Sequence, residues 1–554
     1  MSTDTTSLDT ATRKELYALA KERGLEGRSS MSKEELVAAL QSGDRSDGDA
    51  PSAGADTTDQ APVPSSDDAP EAADETPAPS TDDGAPMAAD DVPVADTSPG
   101  GQQPAASRFD AFTMLADARA RGELVMLPRI LDGNDRRLHV RQTLREDHQT
   151  RIANRHGDAQ AKFDKLADSL YSFFRGTCLL FYRDLAGEDA WMPTVLTLGD
   201  VHPENFGVMP SADNVPIFGV NDFDEAYYAP FTWDLKRGAV GFMIAAEEEG
   251  GHSPKRQRKI ARRFVRGYID GISRYADDPV EHEHQVRLDN APKLIRKLIR
   301  SAMQDRAEWL ADDHHDEYGR GFRAEDELVP ISSRRDEFQA LIDRFVEEND
   351  VDVPARAGGM RVKDVAGRKG AGTASLGLAR YYILIEGPNA DASDDLVIEL
   401  KQARRSALAG LVPPSEYNFD GHADRIAHAH GVQLVRGDVF YGHIEFEGMS
   451  FMSRERAPFR DDIDLDDLSK SQWMDYAAIC GKSLAHAHAL SDDVGELEHD
   501  IEPKIVAAIG SQKLFIDDIV RFAEEAADRV RRDHELFVAD HELGAFASVD
   551  VVYR

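Results

Sequence analysis

Two short stretches of the chain hold oxygen ligands at spacings that chemistry can use. Leu196-Thr-Leu-Gly-Asp200-Val-His202-Pro-Glu-Asn205-Phe-Gly-Val reads as an apolar strand ending at a carboxylate, with an amide five residues later. A second apolar strand, Val215 to Val220, runs into Asn221-Asp222-Phe-Asp224-Glu. Hard oxygen donors therefore collect where two strands end. Asn205, Asp222 and Asp224 suit Mg²⁺, which prefers oxygen and keeps waters or substrate phosphates in its octahedron. Asp200, off the metal, is placed to accept a proton from an attacking hydroxyl. Taken alone, these residues also fit turn caps and strand ends, or a metal-dependent hydrolase built on Asp200, His202, Asp222 and Asp224.

Asp and Asn five residues apart, with a metal-binding Asp on a later strand, is the logic of a kinase catalytic loop. The form Gly-Asp-x-His-x-x-Asn followed by Asn-Asp-Phe-Asp resembles the aminoglycoside phosphotransferase and choline kinase branch of kinase-like enzymes. Such an enzyme also needs a glycine loop over the phosphates and a lysine on a following strand, normally ahead of the catalytic loop. Here they come after it. Gly367-Arg-Lys-Gly370-Ala-Gly372-Thr373-Ala-Ser375-Leu-Gly377 is a glycine-rich turn whose N–H groups can cradle phosphate, and it leads into a strand at Leu378 to Glu386. Gly387 to Asp395 reads as a turn, and Leu396 to Lys401 as the lysine strand. A helix over Asp424 to Val435, a hairpin turning at Glu447-Gly448 and a long helix from Trp473 to Leu490 complete the order. With the catalytic loop so early, the economical account is a circular permutation.

The same residues carry a family resemblance. Phe173-Phe174-Arg175-Gly176-Thr177, the Asp200 and Asp222 motifs, Pro230-Phe-x-Trp-Asp234-Leu-Lys236-Arg237, the glycine loop with Lys401, and Leu484-Ala-His486-Ala-His488 resemble the bacterial family called domain of unknown function 2252, over about residues 107 to 540. The resemblance implies a kinase-like fold, with Asp234 anchoring the catalytic-loop backbone. The chain departs from the family at Lys401-Gln402-Ala403, where Lys-Glu-Ala is usual. That leaves the lysine's customary partner, a helix Glu, unassigned; Glu399 lies on the lysine's own strand and is a poor substitute.

The elements that must position these groups lie in a long acidic chain of 554 residues, with 102 acidic against 65 basic side chains and a net charge of −37. Cys178 and Cys480 are too few and too distant for a disulfide framework or zinc site, which fits a cytoplasmic protein. No apolar run approaches the ~18 residues of a membrane helix. Residues 43–106 hold 15 acidic residues, one basic residue, ten prolines and no aromatic, the composition of a disordered linker. Ahead of it, residues 1–42 read as two short helices. The stretch from Thr12 to Leu36 resembles the Rho termination factor N-terminal domain, which implies nucleic-acid contact through Arg13, Lys14, Lys21, Arg28 and Lys33; ordinary surface charge is the other reading.

Three further clusters read as structural. Seven basic residues between Lys255 and Arg266 suit a solvated helix face. The pairs His428/His430 and His486/His488 sit two apart on helices, so neither pair faces one ion. Phe173 and Phe174 suit the core, with Arg175 near enough in sequence to reach phosphates.

The expectation is an α+β, protein-kinase-like two-lobe fold, circularly permuted, over residues 107–554, with a small all-α N-terminal module. The catalytic and metal motifs occupy 196–237, the glycine-loop and lysine lobe 362–456, and the closing helices 470–540. ATP lies under Gly370, Gly372, Thr373, Ser375 and Gly377, Lys401 pairs with its phosphates, Mg²⁺ sits at Asn205 and Asp222, and Asp200 orients an acceptor hydroxyl of unknown identity. AMP transfer to protein and nucleotide binding without catalysis are the alternatives.

Overall fold

The computed structural model describes residues 131–154, 156–369, 378–412, 421–459, 461–492 and 500–548, with Leu40 and Asp117. Apart from Leu40, these belong to one unit, Ala105–Arg554. The glycine loop from Gly370 to Gly377, the linker and the N-terminal module, Leu40 excepted, lie outside the described residues.

The unit is mixed α and β. Its described residues run through α1 (Gly133–Asn154) and α2 (His156–Asp168), then the short α3 (Leu170–Gly176) and α4 (Cys178–Arg183). Helix α1 is polar along its length yet buries Arg136 and Arg145. Their charges are met: Arg136 bonds Asp184 and Asp533, and Arg145 bonds the Ala545 carbonyl. A buried guanidinium is tolerated only when its donors are satisfied in this way.

Next come β1 (Thr194–Thr197), β2 (Phe206–Pro210), β3 (Pro216–Val220) and β4 (Tyr227–Pro230). Strand β1 pairs antiparallel with β4, and β2 with β3. Both strands of the second pair are buried at every position, which explains their unbroken apolar runs. Helix α5 (Phe231–Glu248) is buried from Phe231 to Ala246 and forms the centre of the core. Its last turn also serves α3, where Glu248 accepts the N–H groups of Leu170 and Tyr171.

Helix α6 (Pro254–Asp277) packs on α5, and α7 (Lys293–Ala302) and α8 (Arg306–Asp313) follow. Then β5 (Leu328–Pro330), α9 (Arg335–Glu348), β6 (Val362–Arg368), β7 (Arg380–Ile385), β8 (Leu396–Gln402), α10 (His422–Gln433), β9 (Gly442–Phe446) and β10 (Met449–Arg456) form a second region. Its six strands make one antiparallel sheet in the order β5-β6-β7-β8-β10-β9. Side chains alternate between two clusters, as a pleat requires: Ile383, Ile398 and Leu400 join the cluster containing Phe338 and Phe345 of α9, while Leu384 and Val397 join that of Trp309 and Leu310 of α8. The turn between β9 and β10 falls at Glu447 and Gly448, both at positive φ, as its two-residue hairpin demands.

The short β11 (Asp461–Asp462) extends the β2–β3 pair. Helix α11 (Lys470–Ala489) begins with a capping box between Ser469 and Gln472. Helices α12 (Ile501–Ile509) and α13 (Gln512–Glu542) close the core. Helices α6 and α11 approach closely because Gly267 meets the Ala478 backbone and Gly481 that of Phe264, leaving no room for a Cβ. The strand and helix expectations for 378–386, 396–401, 424–435 and 473–490 fall within a few residues of β7, β8, α10 and α11. Among the described residues no helix is long and apolar enough to cross a membrane.

Candidate active site

The carboxylates gather on a rigid loop. Gly199 sits at φ +76°, where a Cβ would strike the Glu225 carbonyl, so the turn delivering Asp200 needs glycine. Beneath it, Asp234 of α5 accepts the N–H groups of Leu198 at 2.7 Å and Gly199 at 3.0 Å. His488 lies 3.1 Å from the same carboxylate and is bridged to Tyr268. Asp234 thus anchors the loop backbone from a fully buried position.

Asp200 is held from the side. Arg237, one turn along α5 from Asp234, reaches Asp200 Oδ1 from Nε at 2.9 Å and Nη2 at 2.7 Å. Its guanidinium lies 4.2 Å from the Phe174 ring centroid and donates to the Phe174 carbonyl. Burial opposes its charge, but the Asp200 carboxylate it is hydrogen-bonded to keeps it cationic. Asn205 closes the loop, its Nδ2 donating to the Asp200 carbonyl at 2.6 Å. Tyr476 of α11 places its hydroxyl 2.7 Å from the Pro203 carbonyl and 3.0 Å from that of Phe206.

The second carboxylate pair leaves β3. Asp222 Oδ1 accepts the Asp224 N–H at 3.1 Å. Burial, then the charge of Asp224, raises the Asp222 pKa. Asp224 shifts the other way: burial opposes its ionisation, but Lys401 lowers its pKa by charge and by a hydrogen bond. Lys401 crosses from β8 to make that contact, so its carboxylate partner is Asp224 and not a helix side chain. Glu399 is committed elsewhere, to Arg454 at 2.5 Å and Arg380 at 3.2 Å. From α10 comes an arginine: Arg425 donates to the carbonyls of Asp224 at 2.7 Å and Ala226 at 2.6 Å.

Several groups at this cluster carry no motif. Asp147, Lys162, Glu225 and Arg404 surround Asp200, Asp222 and Asp224 about a space of some 30 Å³, roughly one water molecule. Arg404 bridges Asp147 and Glu225, each at 3.3 Å. Burial drives the Lys162 ammonium pKa well below its ordinary value, helped by Arg151 and Arg404. Arg404 follows Lys401 by three residues and was within reach of sequence reasoning. Asp147 and Lys162, on polar helices, gave no signal. Arg175 also borders the space and pairs with Glu204.

Among the described residues no three His, Cys, Asp or Glu side chains converge as a metal cluster. The histidine pairs are separated as their spacing predicted. His428 meets the Tyr228 hydroxyl, His430 stacks on Tyr441, and His486 bonds the Glu281 carbonyl. Of the seven bases on α6, Lys255, Arg258, Lys259 and Arg266 are exposed, and Arg262 pairs with Asp517.

The family described as "Uncharacterized protein conserved in bacteria (DUF2252)" matches residues 156–540, more than half of the chain. The chain belongs to this family. The DUF2252 match takes in Lys162, Asp200, Asp222, Asp224, Lys401 and Arg404, and begins after Asp147. Residues 8–41 match the Rho termination factor N-terminal domain. No curated protein and no solved structure matches the chain.

Proposed function

We propose that this DUF2252 protein is an ATP- and Mg²⁺-dependent phosphotransferase on a circularly permuted kinase-like fold, acting on a hydroxyl acceptor. The observation that carries the reading is Lys401 on β8, in the interior of the six-stranded β5-β6-β7-β8-β10-β9 sheet, ion-paired to Asp224, two residues after Asp222. A lysine strand facing a metal-site carboxylate, with Asp and Asn five apart on a braced loop, is the arrangement phosphoryl transfer uses. Support for the permutation comes from α11: it follows the lysine sheet in sequence, yet its Tyr476 and His488 brace the loop that precedes that sheet.

The donors fit Mg²⁺ in its usual form, one or two protein oxygens with phosphates and water supplying the rest. Asn205 uses its N–H on the Asp200 carbonyl and keeps Oδ1, and Asp222 adds a carboxylate. When bound, the ion neutralises charge on the transferred phosphoryl group. Lys401 would then exchange Asp224 for phosphate oxygens, and the water-sized space among the carboxylates would widen to admit them. Arg237 fixes the Asp200 carboxylate so that its other oxygen can take the acceptor proton. Residues 1–42 would bring the enzyme to nucleic acid.

The test is the melting temperature of the full chain with and without ATP·Mg²⁺, beside Asp222→Ala and Lys401→Ala, with product analysis from α- and γ-labelled ATP. A shift of several degrees, lost in both variants, with γ-label transferred, is the expected outcome. Transfer of the α-label instead means AMP transfer. No shift at millimolar nucleotide ends the reading.

A further inference from the structure

Strand β3 also borders a cavity of about 730 Å³ that shares no lining residue with the carboxylate cluster. Its apolar lining includes Ile217, Phe218 and Val220 of β3, Val286, Leu434 and Ile479. Arg263 and Arg274 of α6, Lys293 of α7 and Lys482 of α11 also border it. Arg274, Lys293 and Lys482 are exposed at its mouth and Arg263 is half-buried, and none of the four belongs to an ion pair among the described residues. Two carboxylates, Asp270 and Asp475, also line the space, leaving an excess of positive charge.

The cavity's two imidazoles do not add to that excess. His284 accepts or donates to the Tyr275 hydroxyl at 2.6 Å, and His486 meets the Glu281 carbonyl at 2.7 Å. Burial lowers both pKa values, that of His486 to about 4, so the positive charge at neutral pH belongs to arginine and lysine.

We propose that this cavity binds a small amphipathic organic anion, an apolar body bearing one carboxylate, sulfonate or phosphate. The volume suits a ligand of drug size, and a mostly apolar lining with a few charged groups is the usual form of such sites. The unpaired cations select an anion, and the apolar wall excludes a bare inorganic ion. The site stands independently of the phosphotransferase reading, since none of its residues belongs to the carboxylate cluster.

The probe is 8-anilinonaphthalene-1-sulfonate, titrated by fluorescence into the full chain, with N-phenyl-1-naphthylamine as the body without its charge. The expected result is one equivalent of the sulfonate bound, about tenfold more tightly than the amine, as one charge-assisted contact provides. Arg274→Glu with Lys482→Glu should remove that advantage and leave amine binding within about twofold, while Arg274→Lys should retain it. Ile479→Trp, which fills part of the apolar lining, should weaken both probes. Circular dichroism and melting temperature establish that each variant is folded. Equal affinity for the two probes, sulfonate binding unchanged by charge reversal, or loss of binding in Asp222→Ala would each overturn the proposal.

Discussion

Glu399 and Lys401 stand two residues apart on one face of β8, and their surroundings differ in kind. Glu399 is fully buried and held within its own sheet by Arg380 on β7 and Arg454 on β10. Burial opposes its ionisation, but the arginines hold its pKa well below the ordinary carboxylate value. Lys401 reaches out of the sheet to Asp224, beside a second carboxylate whose pKa burial and repulsion raise. One charge is surrounded by opposite charges and fastens strands together. The other joins two regions at a place where like charges are crowded, an arrangement that costs stability and marks functional sites.

The contrast can be broken first at its stable end. Glu399→Ala leaves two half-buried guanidinium groups short of a partner, and should cost about 3 kcal/mol in urea denaturation while preserving the ATP·Mg²⁺ shift of the folded chain. A comparable loss of nucleotide response would place Glu399 in the site.

Asp438 tests whether crowding alone makes a site. Burial, then the charge of Glu455, raises its pKa to about 6, yet Glu455 is paired with Arg306 and Arg356. Because the folded value exceeds the unfolded one, the stability this group contributes is present in acid and is lost as pH rises through about 6. Asp438→Asn should therefore gain on wild type by about 3 kcal/mol at most between pH 4 and pH 7, measured by urea midpoints at each pH. Nucleotide response should not change.

The smallest effect is the most discriminating. Asp222→Asn keeps the oxygen that accepts the Asp224 N–H but removes a charge whose ionisation the fold opposes. It should raise stability at pH 7 by about 0.5–2 kcal/mol while abolishing turnover. A variant that loses stability along with activity would make Asp222 a structural residue.

The legible parts of the site were those written locally. Asp200, Asn205, Asp222 and Asp224 follow short buried strands whose apolar runs stand out, and Lys401 ends another. Asp234 could be assigned its anchoring part from the family resemblance. The partners were harder to see because each is distant in sequence: Arg237 lies 37 residues from Asp200, and Arg425 lies 201 from Asp224. Lys162 and Asp147 sit on helices whose composition resembles a solvated surface; their burial is decided by packing that no local period encodes. The same holds for α1, where Arg136 becomes a core residue because Asp184 and Asp533 meet it, and Arg145 because the Ala545 carbonyl does.

The separation of Lys401 from Asp224 by 177 residues has a consequence during synthesis. At about 5–20 residues per second, a ribosome makes the lysine roughly 9–35 s after the aspartate. For that interval the strands that end at Asp222 and Asp224 are available while β8 and Arg404 do not yet exist. Lys162, Arg175 and Arg237 are already made by then, but Asp224 and Glu225 still lack Lys401 and Arg404, the cations they pair with. Completion of the cluster waits for the second sheet, by which time most of the chain has been made.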